Sequence, residues 1–133
     1  MATKLPDNAI KILEKKSFAN LATLMPDGTP QVSPVWCEYD GTHVVINTAR
    51  GRQKDKNMTR DPRVSISASD PDNPYHYVEI RGRVVEMTET GADAHIDKFA
   101  KKYLNVDSYP YRRGPEEVRV IIKIEPEHVH VMG

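Results

Sequence analysis

The stretch Phe18–Thr48, FANLATLMPDGTPQVSPVWCEYDGTHVVINT, alternates short runs of β-formers with turn residues, and its reading decides the fold. Phe18–Met25 is strand-like, Pro26-Asp27-Gly28-Thr29 is a turn, and Gln31–Tyr39 resumes with β-branched and aromatic residues. Asp40-Gly41 predicts a tight hairpin, because the favoured two-residue turn needs positive φ at both central positions. Thr42–Thr48 follows as the next strand. Together these segments predict a meander of at least three antiparallel strands.

The rest of the chain extends that pattern. Residues 6–16 read as a short helix, with Pro6 in its first turn, Asp7 serving free amides, and Ile10 and Leu13 at helical spacing. A loop and short helix ending near Asp61 are expected next, since Pro62 disfavours helical geometry at the residue before it. Val64–Ser69 is a strand with Val64, Ile66 and Ala68 on one face. Asp70–Pro74 is a rigid polar loop, and Tyr75–Met87 is a long strand with a bend or bulge at Gly82. Thr90 opens the clearest helix, on which Ile96, Phe99, Ala100, Tyr103 and Leu104 form one stripe. Val118–Ile124 and His128–Met132 complete the set. Six or seven strands with two or three helices predict a mainly β fold, an antiparallel barrel closed or nearly closed, in a single domain over residues 1–133. Closure removes edges that a long meander would leave open.

Composition narrows the functions. The chain has 133 residues, 38% hydrophobic and 29% charged, which suggests a thin core with apolar area supplied by a partner subunit. Nineteen basic residues balance nineteen acidic ones, against the strongly basic character of a nucleic-acid binder. No apolar run is long enough to span a bilayer and no leader is evident, so a cytoplasmic protein with no membrane association is expected. Cys37 stands alone, which excludes a disulfide framework and a cysteine-rich zinc site.

Against that neutral background, Asn47–Arg63 (NTARGRQKDKNMTRDPR) sets six basic residues against Asp55 and Asp61, a surplus of four positive charges. A basic knot on a neutral protein points to a local anionic ligand. Arg52, Lys54 and Asn57 can gather a guanidinium, an ammonium and an amide around one phosphate, and Asn47-Thr48-Ala49 lets a ligand lie close to main chain. The competing reading is a solvated basic loop. Gln31 and Ser33 alternate toward one face and can meet the edge of a heterocycle, or simply solvent. Tyr75 and Tyr77 share a strand face and can wall a pocket for a flat ring, or pack in the core. His128 and His130 also alternate, yet no third ligand accompanies them, so no metal site is expected. His43, His76 and His95 read as structural or exposed, and Glu116 and Glu117 as exposed. GxSxG, Walker-type and GxGxxG patterns are absent. No catalytic residue stands out.

The run Leu24–Val35 (LMPDGTPQVSPV), the Asp40-Gly41 hairpin, NTARGRQKDKNM, Arg60-Asp61-Pro62-Arg63, NPYHYVEIRGRVVE, the AHIDKFAKKYL helix and the YPYRRGPEE loop form an ordered set. Together they resemble the pyridoxamine 5′-phosphate oxidase-like flavin/deazaflavin oxidoreductases, and most closely the branch that uses the deazaflavin coenzyme F420. The resemblance runs from about Ala19 to the C-terminus. It implies a split β-barrel working as a homodimer, with cofactor sites at the subunit interface. It also implies that Arg52, Lys54 and Asn57 hold the cofactor phosphate, that Asn47, Thr48 and Ala49 lie beside the tricyclic ring, and that Gln31 and Ser33 face it. Arg50 and Lys56 would meet a polyglutamate tail. The implied activity is hydride transfer from reduced F420 to a small unsaturated or quinone-like substrate. An FMN-dependent oxidoreductase on the same fold, or a non-catalytic flavin or haem carrier, remains open. The substrate-phosphate motifs and C-terminal dimerisation segment of true pyridoxamine phosphate oxidases are not recognisable, so vitamin B6 chemistry is not expected.

Overall fold

A computed structural model of the protein describes residues 2–133. The amphipathic N-terminal segment forms α1 (Asp7–Glu14), with Pro6 at its N-cap and Ala9, Ile12 and Leu13 buried. Burying the two larger side chains contributes about 2 kcal/mol each of transfer free energy. The strands and helices that follow are β1 (Ala19–Leu24), β2 (Pro30–Val35), β3 (Cys37–Tyr39), β4 (Val44–Ala49), α2 (Gln53–Arg60), β5 (Arg63–Asp70), β6 (Asn73–Thr88), α3 (Ala92–Leu104) and β7 (Arg119–Met132).

All strands join one antiparallel sheet in the order β2-β1-β5-β6-β7-β4-β3. Its two edge strands, β2 and β3, are separated in the chain by Trp36 alone. Strands at opposite edges can be chain neighbours only if the sheet curls until its edges meet. The accumulated twist between adjacent strands supplies that curl. The result is a split β-barrel of seven antiparallel strands with three helices. Alternating side chains such as Val64, Ile66 and Ala68 of β5 fill the interior with Val44, Ile46, Ile80, Ile122 and Ile124, and α1 packs into the same cluster. A second cluster, Ile96, Phe99 and Tyr103 of α3, packs with Trp36 and Tyr109.

Several boundaries depart from the sequence reading. Gln31–Tyr39 is not one strand: it turns a corner at Trp36, so β2 pairs with β1 and β3 with β4, and the simple meander is replaced by a wrap-around closure. The Asp40-Gly41 turn is a four-residue loop between Tyr39 and Val44, with positive φ only at Gly41 (φ 100°). The Asp40 carboxylate accepts the Thr42 and His43 amides there, which replaces the two-residue geometry. Asp70 and Asn73 pair directly, so the polar loop is a two-residue connection. Leu104 lies outside the buried stripe, 37% exposed. Val118–Ile124 and His128–Met132 merge into one strand from Arg119 to Met132, with Pro126 opposite Gly82 beside a register shift, a position where proline is tolerated in a sheet.

Gly82 permits that arrangement. A Cβ built on it falls onto the backbone carbonyl of Glu125. Gly82→Ala is therefore expected to destabilise the protein by about 3 kcal/mol, read as a lowered urea midpoint at unchanged slope. A midpoint within error of the parent would show that β6 and β7 separate freely at the bulge.

Candidate functional site

The corner at Trp36 opens a groove of about 290 Å³ on the seam between the sheet edges. One wall is apolar and aromatic, with Phe18, Val35, Trp36, Tyr109 and Tyr111. The other end is cationic, with Arg52, Lys54 and Arg119 beside Asn47. Trp36 is held flat against Tyr103 (5.1 Å between centroids, 8° between planes) and meets Tyr109 edge-on at 6.0 Å. Phe18 and Tyr111 are 68% and 61% exposed, so this wall is partly open to solvent.

The cations are placed by α2 and β7. After β4 the chain turns at Gly51, in the left-handed region at φ 89°, where a side chain would be strained. Buried Asp55 clamps this turn, accepting the Gly51 amide at 2.8 Å and Arg50 Nη1 at 2.9 Å. Asn57 is 0% exposed, and its Nδ2 donates to Thr23 Oγ1 at 3.0 Å while its Oδ1 accepts from Gln53 and Arg60. Thr23 in turn donates to Gln31 Oε1 at 3.1 Å. These bonds fix α2 against β1 and aim Arg52 and Lys54 at the groove. Lys54 Nζ reaches Ser33 Oγ at 3.1 Å and has no carboxylate partner among the described residues. Burial, with Arg52 and Arg119 nearby, pushes its ammonium below the usual lysine range.

Behind the cations runs a hydrogen-bonded chain. Asn47 Nδ2 donates to the Ala92 carbonyl at 3.0 Å, and Asn47 Oδ1 accepts from Arg119 Nε at 2.9 Å. A carbonyl only accepts and a guanidinium only donates, so the orientation of the amide is settled. His95 Nδ1, 3.0 Å from Asn47 Nδ2, must then be the acceptor. The ring proton accordingly sits on Nε2 and is donated to Glu38 Oε2 at 2.7 Å. Burial works to raise the Glu38 carboxyl, but the His95 hydrogen bond and Lys98 outweigh it and hold it below the usual carboxylate range. At the other end, Glu117 is shared by Arg119 Nη1 (3.3 Å) and Arg52 Nη2 (3.7 Å). Arg119 lies 5.1 Å from the Tyr109 ring centroid, and burial pushes its guanidinium below the usual range. Two guanidiniums thus share one carboxylate at this end of the groove, and the Lys54 ammonium beside them has none.

The structure brings Asn47, Arg52 and Lys54 together at the groove, with Ser33 joined through Lys54. It does not bring the others. Gln31 is tied to Thr23, and Asn57 is sealed inside, so it positions α2 and presents nothing to a phosphate. Thr48 shares the interior face of β4 with Val44 and Ile46, and its Oγ1 has no partner among the described residues. Ala49 is 4% exposed. Arg50 is engaged by Asp55 and Glu89 and is not free for a tail, while Lys56 is exposed. Tyr75 and Tyr77 begin β6, and Tyr77 pairs with Met132, the far end of β7 from Arg119. Sequence reasoning missed Glu38, Asp55, His95, Glu117 and Arg119. Glu117, read as exposed, has a side chain 6% exposed. The available signals were Glu117 and Arg119 two apart at the start of an apolar strand, and His95 one helical turn before Phe99.

A split barrel with a cationic, aromatic-walled groove at its seam is the class that these features define. The chain belongs to the pyridoxamine 5′-phosphate oxidase family, whose sequence model matches residues 5–133. It is 28% identical over 131 residues to an F420-dependent biliverdin reductase of Mycobacterium tuberculosis, covering 96% of this chain and 88% of that protein. A solved structure of an F420 reductase is 34% identical with a TM-score of 0.82, covering 95% of this chain and 98% of that one. General Stress Protein 26 of Bacillus anthracis, at 20% identity and a TM-score of 0.70 over 95% of this chain and 92% of its own, shares the fold.

Two outcomes follow from this geometry. Asn57→Ala strips a buried amide and is expected to destabilise by about 2 kcal/mol in chemical denaturation. Inorganic phosphate affinity measured below the transition should stay within about threefold, and a selective loss of phosphate binding at full stability would make Asn57 a ligand. An anion favours the charged form of Lys54, so phosphate affinity should fall as pH rises through the lysine's depressed pKa, beginning below 10.5. Calorimetry across pH 7–10 checks this, and Lys54→Gln should flatten the profile.

Proposed function

We propose that the protein is an oxidoreductase that uses reduced coenzyme F420 to transfer a hydride to a small unsaturated or quinone-like organic substrate. The observation that carries this reading is the set of three cations, only two of them sharing a carboxylate, at the end of an aromatic-walled groove. A phosphorylated, flat redox cofactor needs both features: fixed positive charge for the phosphate and apolar walls for the ring. The nearby F420-dependent relatives support the same cofactor.

The donor set fits the group. Arg52 supplies a planar fork and Lys54 a point charge, and Lys54 has no carboxylate that an incoming phosphate would have to displace. In the reduced state the coenzyme supplies the hydride, and this chain's share is binding, orientation and exclusion of water. Asp55 and Asn57 hold α2 so that Arg52 and Lys54 keep their aim. Ser33 holds the Lys54 ammonium, and Trp36, braced by Tyr103, offers a rigid flat surface. No side chain is assigned as acid or base.

The groove of one protomer, about 290 Å³, is at the lower limit for a drug-sized ligand and too small for a tricyclic cofactor with its substrate. Phe18 on its wall is exposed, as is Val32 two residues before the lining Pro34 on β2, so we propose that a second copy of the chain completes the site in a homodimer. The reading places the protein in the reducing cytoplasm, where the buried Cys37 remains a thiol.

Titration of the purified protein with F420 and with FMN, together with sedimentation analysis, tests this. Micromolar F420 binding to a dimer, with FMN much weaker, is expected. Arg52→Gln/Lys54→Gln should raise Kd for F420 about 100-fold, as loss of two charge-assisted hydrogen bonds dictates. Preference for FMN would select a flavin enzyme. Tight F420 binding without single-turnover oxidation by any quinone or enone would make the protein a carrier.

A further inference from the structure

We propose that Arg119 is an anion anchor separate from Arg52 and Lys54, and that it takes the carboxylate of a flat conjugated acceptor lying against Trp36 and Tyr109. The proposal rests on the reading of the groove as a redox site and names the class of its second ligand.

Arg119 is 4% exposed yet lines the groove, and a buried guanidinium is expensive unless its charge is used. Its Nε is occupied by a neutral amide oxygen, Asn47 Oδ1, and its Nη1 makes only the long 3.3 Å contact with Glu117. Nη2 has no acceptor among the described residues. Glu117 is divided between Arg119 and Arg52, so one carboxylate answers two guanidiniums and one positive charge is left over. That remainder suits a monoanion, whereas a phosphate suits the uncompensated Lys54 beside Arg52.

The guanidinium is also oriented more tightly than a general surface charge requires. Tyr109 covers one side, and Asn47 holds Nε. Asn47 cannot flip, because Ala92 O and His95 Nδ1 accept both of its amide hydrogens. His95 cannot turn, because Nε2 is committed to Glu38, itself held by Lys98 at 3.3 Å. His95 and Asn47 are therefore positioning residues for Arg119. Flat aromatic surface and a planar cationic fork side by side select a ligand that is itself flat and carries a planar anion.

Calorimetric titration of the intact protein with trans-cinnamate and with its neutral counterpart cinnamamide tests the anchor without any cofactor. Cinnamate should bind about tenfold more tightly than cinnamamide, and saturating inorganic phosphate should leave its affinity within about threefold. Arg119→Gln should abolish the preference. Should that variant fold poorly, His95→Leu should reduce the preference to less than about threefold, while His95→Gln, which can both accept from Asn47 and donate to Glu38, should keep it. Equal binding of the two probes, competitive displacement of cinnamate by phosphate, or a preference that survives both Arg119→Gln and His95→Leu overturns the proposal. Failure of F420 to bind while the cinnamate preference holds would remove the redox reading and leave the anchor standing.

Discussion

One covalent constraint organises this molecule: strands at opposite edges of a seven-stranded sheet are joined through Trp36 alone. The sheet has to bend until those edges meet, and the bend leaves a seam instead of a continuous ladder. Backbone groups at a seam need other partners, because an unpaired buried amide or carbonyl costs about 1–3 kcal/mol. Here α3 supplies them. Tyr103 Oη accepts the Cys37 amide at 3.1 Å, and Lys102 Nζ donates to the Cys37 carbonyl at 2.7 Å. The same ammonium reaches the Leu13 carbonyl at the end of α1, so one side chain ties helix, seam and sheet edge together. With Lys102 and Tyr103 fixing α3 there, Ile96 lines the groove and His95 stands behind it against Asn47. The site is a by-product of how the barrel closes.

Electrostatics then separates the groups whose hydrogen bonds and charges are matched within the fold from those left poorly compensated. Asp55 and Asn57 are buried and fully engaged, and they spend their hydrogen bonds on the Gly51 turn and on β1. Lys54 and Arg119 are also largely removed from water, but burial depresses both of them and neither is matched by a carboxylate of its own. A fold that only needed rigidity would have neutralised them. Keeping cations poorly compensated in an apolar groove stores interaction energy that an anion recovers on binding.

What the sequence could show was local. Alternation in Val64, Ile66 and Ala68 marks an inward strand face, and the basic run after β4 marks a cationic element with a helix ending before Pro62. The corner at Trp36 was hidden because β-branched and aromatic residues continue on both sides of it, and nothing in periodicity distinguishes a bend from a strand. The continuity of β7 was hidden because Pro126 reads as a break unless its partner is known to be Gly82. The chain from Glu38 to Arg119 was hidden more deeply. Asn47 meets His95 across 48 residues and Arg119 across 72, and each residue alone is an ordinary polar side chain. Their meaning comes from juxtaposition, which only the closed barrel provides.

No acid or base stands out among the groove residues, and what they arrange is geometry and charge. Geometry is what this groove invests in. Trp36 is braced by Tyr103, Arg119 by Asn47, Asn47 by Ala92 and His95, and His95 by Glu38. Each brace removes a rotamer before any ligand arrives, so ordering does not have to be done at binding. Phe18 and Tyr111 are the exceptions, both exposed and only loosely held. A site rigid on its inner wall and open on its outer one is half of an enclosure. The sheet edge beside those two rings, at Val32 and Pro34, is exposed as well, so the open side is continuous with an apolar stretch of β2.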